Sequence, residues 1–235
     1  QEAFMDINPA VIISVPLIIE KIIRKNIFPK IQTNIMKLLM NMPVINKKVK
    51  EKILELVKAE FGNNMYEVVV GGAGLNKEIE DFLLGIGIPL TVLSGTTETA
   101  PMITFSDWKD FIGGSCGTAA KNMDVKILSE DPQNIPGEIV TRGLNMMTGY
   151  YKNQEATNAV IDDNGWFHTG DLATMNSEGH IFIRGRKKNM LLGSNGQNIY
   201  PEEIENKLNS MAMVNESLIV QREERLIGLV HPDFE

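Results

Sequence analysis

Val49, Ile53, Leu56 and Val57 recur at helical spacing among lysines and glutamates, giving one apolar stripe and predicting an amphipathic helix. The first sixty residues read as helical throughout, with Met36, Met40 and Met42 as adaptable core fillers. The period then changes. Tyr66 to Val70 is a β-branched run that stops at Gly71-Gly72, and Asn76 is placed to cap a helix whose apolar face is Ile79, Phe82, Leu83 and Ile86. Gly85 and Gly87 end that helix, and Ile88 to Leu93 supplies a second strand. Strands joined by one helix run parallel through a right-handed crossover, so both end at one edge of a sheet. That carboxyl edge is where open α/β sheets bind ligands. Just past it lie Gly71-Gly72-Ala73-Gly74 and Ser94-Gly95-Thr96-Thr97-Glu98.

After Pro101 short strands alternate with Gly, Pro and Asn turns, among them Val125 to Leu128 and Glu138 to Thr141. Leu172 to Met175 and His180 to Arg184 flank Asn176-Ser177-Glu178-Gly179 and read as a hairpin. From Lys188 onward the pattern predicts a strand, a turn at Ser194-Asn195-Gly196, and a helix opened by Pro201 with Glu202 and Glu203 in its first turn. Ile204, Leu208 and Met211 give that helix its buried face, and strands follow around Ser217 to Val220 and Leu226 to Val230. The fold class is α/β: a parallel β-α-β sheet plus a β-rich subdomain, followed by the start of a small α+β domain. The boundary falls after residue 187, and the 188–235 unit is too small to bury much surface alone.

Composition narrows the function classes. Hydrophobic residues make up 43% and charged ones 23%, the mix of a soluble globular protein. The longest apolar run, Val11 to Ile19, is interrupted by Ser14 and Pro16 and is too short to span a bilayer. The single cysteine, Cys116, cannot form an internal disulfide and fits a reducing cytoplasm. A net charge of −7 argues against a nucleic-acid partner. Between Glu20 and Lys58, however, ten Lys/Arg stand against three Glu. Such a stretch is either a solvated helical face or a weak contact with an anionic membrane surface, peripheral to the membrane. The chain opens on Gln1, which suggests that its true start lies upstream.

Four segments taken together resemble the adenylate-forming superfamily, which includes acyl-CoA synthetases, luciferases and peptide-synthetase adenylation domains. They are Ser94-Gly95-Thr96-Thr97-Glu98-Thr99-Ala100-Pro101, Gly165-Trp166-Phe167-His168-Thr169-Gly170-Asp171, Gly185-Arg186-Lys187-Lys188 and the run from Gly196 to Glu205. Gly137-Glu138-Ile139-Val140 and Gly149-Tyr150-Tyr151 fall between them in the expected order. Any one alone is weak; their order and spacing make the resemblance specific over essentially the whole chain.

The resemblance implies joining a carboxylate to AMP from ATP, then transfer of the acyl group to CoA, with Mg²⁺ assisting. Anions meet at the α-phosphate, so preorganised donors and a hard cation are needed there. Glu98 matches the metal-binding glutamate and Thr97 the phosphate-contacting hydroxyl; Thr96 and Thr97 also fit a plain Ser/Thr turn. Asp171 matches the aspartate that takes both ribose hydroxyls, and Arg186 an arginine reaching the nucleotide; a surface salt bridge is the plainer role for Arg186. Gly71, Gly72 and Ala73 resemble the segment along the adenine and acyl site. Lys188 matches the hinge about which the small domain swings, and Gly196 a loop glycine lining the CoA tunnel; both also fit ordinary exposed loops. Ser94, before Gly95, stands where an aromatic usually stacks on adenine, a loss of about 1–3 kcal/mol if base stacking elsewhere is a guide.

The phosphate-cradling loop upstream in the family and the downstream lysine that orients the acyl carboxylate are not among these residues, so the chain by itself is expected not to run adenylation. Asn8 to Ile22 resembles the long-chain acyl-CoA synthetase pattern of Val-Pro followed by a Glu-basic-Ile helix, with Leu17 where an arginine is common. Long-chain fatty acid is therefore the favoured substrate. A ligase for an aryl or succinylbenzoyl acid and a non-catalytic nucleotide-binding remnant stay open. A dinucleotide-binding domain fails, because no Gly-x-Gly-x-x-Gly joins the first strand to its helix.

Overall fold

The computed structural model describes residues 2–31, 47–193, 196–211, 213–223 and 225–232. Met36, Met40 and Met42, like Ser194 and Asn195 of the expected turn, lie outside the described residues. The chain divides into two compact units, Gln1–Leu93 with Ser106–Gly113, and Ser94–Phe105 with Gly114–Glu235.

The first unit is built on a parallel three-stranded sheet, in the order β1 (Val11–Ser14), β2 (Glu67–Val70), β3 (Leu90–Val92). Val68 pairs with Ile12 on one side and Leu90 on the other. The expected β2–helix–β3 unit is present. Asn76 caps the Lys77–Gly85 helix by accepting from the backbone N–H groups of Glu78 (3.0 Å) and Ile79 (3.4 Å). Gly87, at φ +84°, turns the chain out of the helix where a side chain would be strained.

β1 corrects the expectation of an all-helical start. Its first three residues, Val11, Ile12 and Ile13, are apolar on both faces, so no alternation marks them, and Pro16 resets the chain into the Pro16–Ile22 helix directly afterwards. Ile12 is buried while Ile13 is 78% exposed, as befits a strand at the sheet edge. That helix runs into a π-helical turn, Ile23–Ile27, and then Phe28–Ile31. Ile19, Ile23, Ile27 and Ile31 are all buried. They meet Ile53, Val57 and Phe61 of the Lys47–Phe61 helix in one core with Val68, Val70, Ile79, Leu83 and Leu90. The stripe on that helix is Val49, Ile53, Val57 and Phe61, each one turn apart, flanked by Leu54; Leu56 lies half-buried beside it.

The second unit carries an antiparallel meander, β6 (Met123–Leu128), β7 (Gly137–Gly143), β8 (Phe167–Met175), β9 (Ile181–Arg186). Between β7 and β8 lies the Gln154–Val160 helix, capped by Asn153, whose side chain accepts from Ala156 N at 3.0 Å. A short pair, β4 (Thr104–Phe105) and β5 (Thr118–Ala119), precedes the meander. Cys116, Ile127, Ile139, Ala173 and Ile181 form its buried centre. After β9 come the pair β10 (Leu191–Leu192) and β11 (Asn198–Ile199), the Pro201–Asn209 helix, and the ribbon β12 (Val214–Arg222) and β13 (Arg225–Pro232). Met211 is 57% exposed rather than core, because the helix has already ended at Asn209. Among the described residues no helix is long and apolar enough to cross a membrane. Of the basic stretch, Arg24 pairs with Glu78 at 3.3 Å and Lys30 with Glu60 at 2.7 Å.

Candidate functional site

In the second unit, Thr97–Thr99 forms one 3₁₀ turn. Thr99 locks it: its hydroxyl accepts from Thr96 N at 3.1 Å and donates to Thr96 O at 3.0 Å. Gly95 admits no side chain, since a Cβ there would sit on the carbonyl of Pro101. Ser94 is tied into the same hairpin by its backbone, its N–H donating to Thr104 Oγ1 at 3.0 Å. Thr97 is exposed at the start of the turn, whereas Glu98 is half-buried. The Glu98 carboxylate accepts from Tyr150 Oη at 2.7 Å. That bond, the residue's own N–H and the nearby Arg186 charge hold its carboxyl below the usual range, against the opposing effect of burial.

Asp171 and Arg186 face one another across β8 and β9, with Arg186 Nε 3.1 Å from Asp171 Oδ1. The meander has to break its ladder to present them. Between the pairs Glu138–Leu172 and Val140–His168 the three residues Thr169, Gly170 and Asp171 stand opposite Ile139 alone. Side chains replace the missing ladder bonds. Thr169 Oγ1 donates to Ile139 O at 2.9 Å and accepts from Asp171 N at 3.0 Å, and Gly170 N donates to Glu138 Oε1 at 3.2 Å. Gly170 sits at φ +73°, which explains a glycine at this point of the motif. Arg186 Nη1 donates to Thr169 O at 3.2 Å, closing the bulge from the other strand. Burial pushes the Asp171 carboxyl up; Arg186 opposes this, and the carboxylates of Glu138 and Glu202 add to it.

Behind the bulge Glu138, 8% exposed, gathers several donors. Lys187 Nζ lies 2.9 Å and His168 Nδ1 3.2 Å from its Oε2. Burial raises this carboxyl, but the Lys187 and His168 bonds outweigh burial and hold it below the ordinary carboxylate range. Glu202, at the start of the Pro201–Asn209 helix, accepts from Arg186 N at 3.3 Å and Asn189 Nδ2 at 2.7 Å.

The expected residues thus fall into three groups. Glu98, Asp171 and Arg186 come together, with Arg186 paired to Asp171 and acting electrostatically on Glu98. Gly71, Gly72 and Ala73 follow β2 at the carboxyl edge of the first unit's sheet, where a Cβ on Gly71 would meet Leu93 Cδ1 at 2.8 Å. Lys188 lies exposed in a 3₁₀ turn, Lys187–Asn189, and Gly196, at φ +78°, has open space around its Cα. Tyr150 enters the sequence reading only as a spacing mark, and Glu138, Lys187 and Glu202 carry no expected role there. Their partners lie 13 to 52 positions away, beyond any local pattern.

Among the described residues no group of three or more His, Cys, Asp or Glu could hold a metal ion. A hard cation that shares one carboxylate with phosphate oxygens needs no such group, and an ionised, half-buried Glu98 suits it. A half-buried carboxylate beside a guanidinium suits a diol and a phosphate, respectively.

The chain is similar to several known proteins. An indoleacetate–CoA ligase of Aromatoleum aromaticum is 38% identical over 150 residues, 61% of this chain and 29% of that protein. A 2-succinylbenzoate–CoA ligase of Listeria innocua is 33% identical over 186 residues, covering 78% of this chain and 38% of that one. A long-chain-fatty-acid–CoA ligase of Mycobacterium bovis is 29% identical over 172 residues, 73% and 28% respectively. The chain spans about a third of the length of these curated relatives. In fold it is similar to ATP-bound MatB from Rhodopseudomonas palustris, with TM-score 0.71 and 24% identity over 97% of this chain and 41% of that one. It is likewise similar to an amide bond synthetase of Marinactinospora thermotolerans, with TM-score 0.73 and 19% identity over 97% and 43%. Residues 2–151 match the family of AMP-binding enzymes, and the chain belongs to that family.

Proposed function

We propose that this chain carries part of the active site of an ATP-dependent acyl-CoA ligase, which joins a carboxylic acid to AMP and passes the acyl group to CoA. The observation that carries the reading is the Asp171–Arg186 pair at 3.1 Å, with Glu98 within its electrostatic reach. In this role Asp171 accepts from the ribose hydroxyls and Arg186 turns its guanidinium to phosphate oxygens. Thr96 and Thr97 supply hydroxyl donors on the turn that follows Gly95. Glu98 holds Mg²⁺, which when bound neutralises charge gathering on the phosphates. Gly71, Gly72 and Ala73 border the adenine and acyl groups. Residues 1–187 form part of the large domain and 188–235 the start of the small one, which pivots at Lys188 and brings Gly196 to the CoA arm.

For the acid, we favour a long-chain fatty acid, supported by the Val15-Pro16 start and Glu20-Lys21 helix and by the Mycobacterium relative. The 38% identity to an indoleacetate–CoA ligase favours an aryl acid instead. Calorimetry with a non-hydrolysable acyl-AMP analogue tests the site: saturable binding that Asp171→Ala weakens at least tenfold is expected, and no binding by the intact site refutes it. Thioester formation with a panel of long-chain fatty acids, indoleacetate and succinylbenzoate decides between the acids.

A further inference from the structure

Tyr150 lies 52 positions from Glu98 in sequence, yet its hydroxyl donates to Glu98 Oε1 at 2.7 Å. That length is typical of a charge-assisted O–H···O⁻ bond. The grip is double, because Met147 N also donates to the Glu98 carbonyl at 2.7 Å. Nearby, Asn145 Nδ2 donates to Thr99 O at 2.6 Å and to Met102 O at 2.8 Å. One stretch, Asn145 to Tyr150, therefore holds the turn at Glu98 itself and on the C-terminal side of that residue.

Tyr150 is itself held rigidly. Its N–H donates to Thr157 Oγ1 at 2.9 Å, and that hydroxyl donates to Asn153 O at 2.9 Å. Thr157 is buried and anchors the Gln154–Val160 helix to this loop. The phenol is fixed at its root, 36% exposed overall, and directs its O–H at the Glu98 carboxylate. A glutamate has three rotatable side-chain bonds, and a small hard cation demands near-ideal angles from each ligand. A carboxylate left to rotate would meet such a cation only part of the time.

We propose that Tyr150 is a positioning residue that fixes the direction in which Glu98 presents its carboxylate to a divalent cation. This rests on the nucleotide-and-metal reading of the same site. Tyr150 touches neither nucleotide nor acid; it acts through Glu98.

The test is a double-mutant cycle in the purified protein with Tyr150→Phe and Glu98→Gln, titrating ATP by calorimetry with Mn²⁺ and again with EDTA. Tyr150→Phe is expected to weaken the metal-dependent part of ATP affinity about tenfold, the worth of one such bond at a half-exposed site. It should leave the metal-free affinity unchanged and cost nothing further in the Glu98→Gln background. An undiminished effect in that background assigns Tyr150 a packing role and overturns the proposal, as does an unchanged affinity in the single variant. A crystal structure of Tyr150→Phe reads the same point without nucleotide: Glu98 in its original rotamer overturns the proposal, and a displaced carboxylate supports it. If the unmodified protein binds no ATP under any condition while the rotamer shifts, the functional reading fails and the positioning contact stands.

Discussion

Replacing Glu138 by alanine tests whether the bulge that presents Asp171 is held from behind. The substitution removes the acceptor of Gly170 N at 3.2 Å and the partner of Lys187 Nζ at 2.9 Å and His168 Nδ1 at 3.2 Å. These losses are unequal. The Lys187 side chain is 61% exposed and regains water when released, so its share is about 0.5 kcal/mol. The His168 ring, 33% exposed, contributes a similar amount, about 0.5 kcal/mol. Gly170 N, held inside the bulge, loses an ionised acceptor worth about 1.5 kcal/mol. Relief of carboxylate burial offsets part of this, leaving a net destabilisation of about 2 kcal/mol near neutral pH. The Glu138 carboxyl is held below its unfolded value, so its contribution is present above about pH 4 and is lost as pH falls through the folded value. Urea unfolding followed by tryptophan fluorescence should therefore show the gap between Glu138→Ala and the parent at about pH 7 and a much smaller gap at about pH 3. Glu138→Gln, which keeps an acceptor for Gly170 N, should recover about half of the loss. A gap of equal size at both pH values would refute the electrostatic reasoning and leave only packing.

Gly95→Ala should destabilise the second unit by at least about 2 kcal/mol, because its Cβ meets the Pro101 backbone rather than a movable side chain; an unchanged urea midpoint would contradict this. Cys116 is buried and its thiol is pushed up to about 11 by that burial, so iodoacetamide at neutral pH should label it only as fast as the protein opens. Rapid labelling under native conditions would show the thiol to be accessible. Asn76→Ala removes the acceptor of two backbone N–H groups at the start of the Lys77–Gly85 helix and should cost about 1 kcal/mol, measured by urea unfolding.

The parts of the fold legible in sequence are those that local chemistry dictates. Asn76 and Gly87 bracket a helix because one side chain satisfies free N–H groups and the other residue tolerates a positive φ. The hairpin around Asn176 to Gly179 follows from an Asx turn, with Asn176 Oδ1 accepting from Glu178 N and His180 N. β1 was hidden because three apolar residues and a serine shortly ahead of a proline carry no period, and its identity is decided by pairing with β2, more than fifty residues later. For the site, resemblance singled out Asp171 and Arg186 as candidates, but not their pairing, which depends on strand register. Glu138 and Tyr150 were illegible for the same reason: each acts on a residue brought to it by the fold.

The meander also slips a second time. Asp171 stands opposite Arg186 and Leu172 opposite Gly185, but Ala173 is matched to Ile183, so Arg184 is the odd residue out. Without that extra residue β9 would keep one beat of alternation from end to end. With it, the half that packs Ile181 into the interior and the half that offers Arg186 outward keep separate time. Deleting a single residue at Arg184 would therefore make the ladder regular with Arg186 still opposite Asp171, at the loss of the guanidinium that donates to Thr174 Oγ1 at 3.1 Å.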